Sequence, residues 1–566
     1  MKNKKTSLIF AAIAATLLSA CGINATCSTD SVNYDKYYAN LPFEIDKVTA
    51  PNIPAYEVNL SDFGGVGNGI ALNTEAFSKA ISHLAANGGG RLVIPDGVWL
   101  TGPIVLESKI DLHVSTGAIL LFSNNKDLYP VVKTFFEGWE TYRCQSPITA
   151  IGKTDIAFTG GGIIDGNGDA WRAVKFDKMA PGEWRTLINS GGVLSDDGKI
   201  WYPSEAFAKG ASNSDLNINR DAKTLEDFQK IRDYLRPVMI HIRDCERVLF
   251  KDLFVQNSPC WNIHPIMTND IIVDGVTIRC PWYAQNGDGV DFESCDRVLM
   301  INSTLDVGDD AICIKSGKDE EGRRRGVPCS NVVVDNCIVF HGHGGFVVGS
   351  EMSGGAKNIS VTNCRFSGTD VGLRFKSTRG RGGVVENIYI SDVYMNDIKT
   401  EPILFDLFYG GKSASEALAD GDGNKTTDMA FKPVDETTPE FRNITINNVV
   451  CHGARRAMLF NGLPEKNVNN IKVSNVAVYA TVGAEINEST NVDMKNVEIY
   501  PEQGPALLIN NSKSVKIDGF KCPANMGEAM RVTGSRNGDI KIKSESLNTK
   551  NVNANSDIKD KLGLDS

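Results

Sequence analysis

The stretch Asn331-Val-Val-Val-Asp-Asn-Cys-Ile-Val339 is followed, 27 residues later, by Asn358-Ile-Ser-Val-Thr-Asn-Cys-Arg-Phe366. Each is a pair of short alternating apolar runs joined through Asn. The phrase also occurs at Arg247–Val255, Asp270–Ile278, Arg297–Leu305, Asn387–Tyr394, Asn443–Cys451, Asn470–Val478, Asn491–Ile499 and Ser514–Lys521. Successive starts lie 21 to 29 residues apart, with two longer steps of 34 and 56 residues. Self-similarity at such a period marks a solenoid, whose units bury their apolar faces only by stacking on one another. The runs are β-branched with period two and lack long helical periodicity, so the units are strands. The expected fold is all-β: a single-domain parallel β-helix.

Alignment of the phrases places Asp252, Asn302, Asn336, Asn363, Asp392, Asn448, Asn475 and Asn496 at one offset. In coils stacked about 4.8 Å apart these side chains would bond to one another as a ladder. Cys337 and Cys364 share another offset and are expected as packed thiols, because stacked parallel strands offer poor disulfide geometry. Upstream, Thr74–Ala86 reads as an amphipathic helix that would cap the open end of the solenoid. Residues 166–240 interrupt the repeat, with Trp171, Trp184, Trp201 and one helical pattern, Leu225–Leu235. They are expected to form an inserted loop subdomain, with shorter insertions at 317–330 and 411–440.

The length of 566 residues would suggest several domains, but a repeat overrides that division. No apolar run reaches the roughly 18 residues of a spanning helix. The net charge of −10 argues against a nucleic-acid partner, which needs a basic footprint. Residues 1–20 read as an exported leader: Lys2, Lys4 and Lys5 precede the apolar run Leu8–Leu18. Leu18-Ser-Ala-Cys-Gly22 resembles the bacterial lipoprotein signal, which implies acylation of Cys21 and a membrane anchor, periplasmic or at the outer-membrane surface. Residues 21–51 would then be a lipidated N-terminus and tether, and 52–566 the β-helix domain. Removing Cys21 leaves 12 of 13 Cys, an even number that allows disulfides in an oxidising compartment. Paired C-x-x-C spacings and H-x-x-x-H are both missing from the sequence, so neither zinc nor any other metal or cofactor is expected.

A second register carries chemistry. Val290–Ser294, Ile312–Ser316, Phe346–Ser350 and Leu373–Ser377 align on their terminal Ser, putting Phe292, Ile314, Val348 and Phe375 on one face. Asp288 and Asp310 then stand six residues before the Ser, and Asp309 and His343 seven before it. Three carboxylates and a histidine converge from adjacent coils, with Arg374 and Lys376 one coil further on. Any one of these turn sequences alone is commonplace; their coincidence at equivalent offsets is a functional signature.

Asn286-Gly-Asp288, Gly308-Asp-Asp310, Gly342-His-Gly344 and Arg374-Phe-Lys376, in that order, resemble the polygalacturonase family of glycoside hydrolases, family 28, whose pattern reads N-T-D, D-D, G-H-G and R-I-K. Asp62-Phe-Gly-Gly-Val-Gly67 and Thr101-Gly-Pro-Ile104 extend the likeness over most of the mature chain. Gly287 and Phe375 depart from the pattern without removing a reacting group. The resemblance implies a right-handed parallel β-helix that hydrolyses α-1,4-linked galacturonic acid of pectic polysaccharide with inversion. It implies Asp309 as general acid, Asp288 and Asp310 sharing the base role, and His343 beside the acid. It further implies substrate contacts from Arg374, Lys376, Tyr409, Asn286 and Gly344. Arg323–Arg325, Arg379 and Arg381 are expected to add positive charge for a polyanion. The insertions flank the site and could wall off one end of a cleft, so exo action is expected. Endo-polygalacturonase and rhamnogalacturonan hydrolase are alternatives on the same fold, and a pectate lyase or a non-catalytic glycan-binding β-helix are more remote ones.

Overall fold

The computed structural model describes residues 33–39, 41–215, 217–410, 431–554 and Leu562. The leader and Cys21 lie outside the described residues, as does the segment 411–430 of one insertion.

The phrases recognised in the sequence are adjacent strands of one continuous solenoid. In the longest ladder Glu246–Lys251, Asn269–Asp274, Asp296–Ile301, Cys329–Asp335 and Ala356–Thr362 pair in parallel, each one coil beyond the last. The chain enters each phrase, and bends between its two runs, through a left-handed residue. Arg247, Asp270, Arg297, Asn331, Asn358, Asn387, Asn443, Asn470, Asn491 and Ser514 all have φ between 51° and 58°. So do Asp252, Asn302, Asn336, Asn363, Asp392, Asn448, Asn475 and Asn496 at the second corner. Asn and Asp are the non-glycine residues that tolerate this conformation best, which is why they recur. The amides bond between coils, from Asn336 Nδ2 to Asn302 Oδ1 at 2.9 Å and from Asn496 Nδ2 to Asn475 Oδ1 at 3.1 Å. The polar rows therefore both turn the chain and fix its register.

Inside the coils, β-branched and aromatic side chains stack in columns. Phe292, Ile314, Val348 and Phe375 are fully buried, and the Phe375 and Phe405 rings stack at 4.6 Å. The helix Thr74–Ala86 closes the N-terminal opening with Ala76, Phe77, Ala80, Ile81 and Leu84. The eleven Cys residues among the described ones are buried free thiols, Cys337 and Cys364 included, and serve packing.

Upstream of the recognised phrases, Glu57–Asn59, Gly90–Ile94, Ile110–Val114 and Thr154–Thr159 occupy the same ladder. Two expectations are corrected. The segment read as a tether is docked from Tyr34 onward. Tyr34, Tyr37, Tyr38, Leu41, Ile45 and Val48 cover Leu299, Ile301 and Val333 on the outer face, and the Thr49 N–H donates to Asp270 Oδ1 at 2.9 Å. Covering an exposed apolar patch outweighs the cost of ordering this strap. The helix read over Leu225–Leu235 is shorter, an α-helix Leu225–Lys230 followed by a 3-10 turn Arg232–Tyr234. An unforeseen antiparallel hairpin, Val131–Phe136 with Trp139–Cys144, leaves the solenoid before the 166–240 subdomain.

Candidate active site

The third ladder of each coil carries the chemistry. Its strands Ile240–Arg243, Ile263–Ile266, Val290–Glu293, Asp310–Lys315, Gly344–Val348, Val371–Lys376 and Ile403–Asp406 pair in parallel. The register is the one read from the terminal serines: Val290 faces Ile312, Ile312 faces Phe346 and Phe346 faces Leu373. With alternate residues packed inward, Asp291, Cys313, Val347 and Arg374 form one outward row.

At the starts of these strands, carboxyl oxygens of Asp288, Asp309 and Asp310 lie within 4.8 Å of one another. Asp309 is held by its surroundings. Its Oδ2 accepts the Asn286 N–H at 3.2 Å, its Oδ1 accepts the Asp310 N–H at 3.0 Å, and His343 Nδ1 stands 3.0 Å from Oδ1. His343 Nε2 lies 3.8 Å from Asp370 on the next coil. The hydrogen bond to Asp309 raises the His343 pKa above its ordinary value, against the pull of burial. Asp310 is buried and bonds Lys376 Nζ through Oδ2 at 2.6 Å and Arg374 Nη1 through Oδ1 at 3.2 Å. Burial opposes its charge, but Lys376 and Arg374 outweigh that and hold its carboxyl well below the usual range. Asp288 behaves oppositely: burial first, then the charges of Asp309 and Asp291, push its pKa far upward. The proton-favouring environment is thus built around Asp288.

Asn286 is left-handed, with φ 53°, and accepts Arg236 Nη2 on its side-chain oxygen at 2.8 Å. It grips Asp309 through its backbone, and the inserted subdomain, through Arg236, grips Asn286. A Cβ on Gly344 would stand 2.4 Å from Val347 Cγ2 and 3.3 Å from Asp310 Oδ1, so a side chain there would crowd both residues. Tyr409 presents its ring to Lys376 Nζ at 5.0 Å and to the Arg374 guanidinium at 5.8 Å. Four of the other expected cations are committed elsewhere: Arg379 to Glu465, Arg381 to Asp319 and Arg325 to Glu293, while Arg323 donates to the Gly380 carbonyl; Arg324 is exposed. They brace loops. The sequence could not show this, because their acidic partners come from other coils.

Two cavities meet over Trp282, Gly308 and His343. One of about 330 Å³ is lined by Lys175, Lys178, Trp282, Asn286, Asp309 and His343, and one of about 540 Å³ by Arg279, Trp282, His341, His343, Asp370 and Lys399. Trp282 is 57% exposed between them, with Lys178 Nζ 4.3 Å over its ring; neither residue was singled out in the sequence. A second close group, Asp288, Asp291 and Cys313, lies beneath the first. Lys376 and Arg374 pair with Asp310 of the first group, and Lys315 Nζ stands 3.5 Å from Asp291 of the second.

Such an arrangement, clustered carboxylates beside a cationic pair in a groove on a parallel β-helix, defines a carbohydrate-cleaving hydrolase. Residues 229–455 match the family model for glycosyl hydrolases family 28. The hyperthermoactive exopolygalacturonase of Thermotoga maritima is 30% identical, over 80% of this chain and 93% of that one, and superposes with a TM-score of 0.63. A probable polygalacturonase of Vitis vinifera is 27% identical over 470 residues, 80% of this chain and 82% of its own length. The exo-poly-alpha-D-galacturonosidase of Dickeya chrysanthemi is 26% identical over 480 residues, 82% of this chain and 74% of its own length. The chain belongs to glycosyl hydrolase family 28, and its solenoid is the right-handed parallel β-helix of that family.

Proposed function

We propose that this enzyme hydrolyses α-1,4-linked galacturonic acid in pectic polysaccharide, releasing units from a chain end. The carrying observation is the pairing of Asp310 with Lys376 and Arg374 beside Asp288 and Asp309, a cationic floor suited to a sugar carboxylate next to the scissile bond. Asp309, in the wall of the smaller cavity, protonates the glycosidic oxygen. Asp288 and Asp310 face the attacking water, and His343 tunes Asp309.

Exo action is supported by a wall. The hairpin Val131–Cys144 lies over the two strands preceding Asp288, where Phe136 packs on Trp261 at 4.8 Å and Thr134 Oγ1 stands 3.3 Å from His241 Nε2. His241 and His264, which an open groove would expose, are buried beneath it. Incubation with polygalacturonate is expected to release monogalacturonate from the first minutes with little loss of viscosity; an early spread of mid-length oligomers would reverse the reading.

Inversion rests on the family resemblance. The carboxyl oxygens lie closer together than the about 6.5–9.5 Å of a typical inverting pair. Proton NMR of the first anomer formed decides it.

The lipobox at Leu18–Gly22 supports an exported lipoprotein anchored through Cys21, carrying residues 52–566 as the catalytic unit. Cys21→Ala should move activity from the membrane fraction to the soluble one.

A further inference from the structure

Asp291 is fully buried one residue into the Val290–Glu293 strand, and the mechanism above gives it no task. It shares with Asp288 and Cys313 a space in which oxygen and sulfur atoms lie within 4.8 Å of one another. Neither Asp291 oxygen has a well-formed hydrogen bond, the nearest cation, Lys315 Nζ, standing 3.5 Å from Oδ1; Asp288 Oδ1 has no partner, and Cys313 Sγ stands 4.0 Å from Asp288 Oδ2. Buried carboxyl oxygens without partners are costly, and two ionised carboxylates at such range are costlier.

The cations in reach do not neutralise both. Lys376 and Arg374 are taken by Asp310, and Lys315 Nζ lies nearer Glu351, at 3.1 Å, than Asp291, at 3.5 Å. The remaining charged neighbours are Asp309 and Asp310, and His264 on the preceding strand faces Glu293 at 3.0 Å. One proton placed between Asp288 and Asp291 removes the excess charge and gives the orphaned oxygens a donor at once.

We propose that Asp288 and Asp291 share a single proton, with Asp291 as the positioning residue that holds it while Asp288 draws a proton from the attacking water. This rests on the reading of Asp288 as part of the base. As the water oxygen bonds to the anomeric carbon, one O–H bond breaks and its proton goes to Asp288. The glycosidic C–O bond breaks as Asp309 gives its proton to the leaving oxygen. The pair then holds two protons and Asp309 none; return of one proton to Asp309 restores the resting state, and the net reaction adds one water. Burial pushes the Asp291 pKa to about 7, against the pull of Lys315, in keeping with that task.

The test is the pH profile of two variants. Asp291→Asn cannot share the proton, so the monoprotonated state of the pair loses stabilisation and the acid limb of the kcat/KM profile should move up by roughly one pH unit. Two separately ionised carboxylates would instead give a downward move on loss of the Asp291 charge, and that result overturns the proposal. Lys315→Met removes the neighbouring cation, so its limb should also move up; unmoved limbs in both folded variants overturn the proposal as well. Infrared spectra give a readout independent of turnover. A protonated-carboxyl C=O band should be lost from Asp288→Asn and from Asp291→Asn alike; separate bands lost one from each, or no band lost, also overturn it. If galacturonan is not cleaved by the wild type but the shared band is present, the pair stands and the base assignment falls.

Discussion

Lys376 Nζ stands 2.6 Å from Asp310 Oδ2 in a contact that leaves both side chains at least nine-tenths buried. The ammonium that should meet the substrate is therefore already paired in the free enzyme. Removing one partner of such a pair leaves an uncompensated charge, typically about 3–5 kcal/mol. Lys376→Met should raise KM strongly and lower stability by roughly that amount at neutral pH. Asp310 has a depressed folded pKa, so its stabilisation is present above the unfolded value of about 4 and fades as pH falls through the folded one. The stability gap between wild type and variant should be widest at neutral pH and narrow below about pH 4, as chemical denaturation across pH would show.

Asp309→Asn keeps the shape but has one acceptor oxygen, so it retains only one of the N–H contacts from Asn286 and Asp310, and it cannot donate a proton. Turnover should fall by about 10²–10⁴-fold or more, with folding and substrate affinity nearly unchanged. Activity within threefold of wild type would remove Asp309 from the acid role.

Free carboxylates should be selected by the Arg374 fork. Arg374→Lys keeps the charge and loses the planar donor pair. The preference for de-esterified over methyl-esterified pectin should narrow about tenfold, the worth of one charge-assisted hydrogen bond. Initial rates on the two substrates measure it, and an unchanged ratio places carboxylate recognition elsewhere.

Shortening the hairpin to a tight turn between Val131 and Cys144 should open the groove over His241 and His264. The product profile should shift from monomer toward mixed oligomers, with a faster fall in viscosity. A folded variant that still yields only monomer would show that another segment closes the chain-end pocket.

Asn475 turns its coil at φ 52°, donating to Asn447 and accepting from Asn496. Asn475→Val puts a β-branched residue in the left-handed region and should cost about 1–3 kcal/mol, measured by urea unfolding. Asn475→Gly should cost less despite losing the same hydrogen bonds, because glycine accepts the backbone geometry.

These corners also explain what was legible. Downstream of Arg247 the solenoid turns on Asn and Asp, and the recurrence of those letters revealed strands, register and the convergence of Asp288, Asp309, Asp310 and His343. Upstream, the same ladder turns at Lys109, Asp155 and Gly160, a mixture that no period betrays. The strap from Tyr34 and the hairpin at 131–144 are held by distant coils, so no local pattern marks them. Asp291 escaped notice for another reason: in an alternating strand it reads as one more outward polar residue, and only burial beneath the hairpin region, beside Asp288, gives it chemical meaning.

The hairpin has a consequence in time. A solenoid whose repeats touch only their neighbours can assemble coil by coil as the chain emerges. Here the Glu140 N–H bonds the Glu321 carboxylate 181 residues later, and Lys318 donates its N–H to the Gly138 carbonyl. An early-made part must wait unseated until the coils through Arg325 exist. Refolding followed by a fluorophore at Trp139 should therefore lag behind growth of β-structure, with activity appearing on the slower of the two clocks.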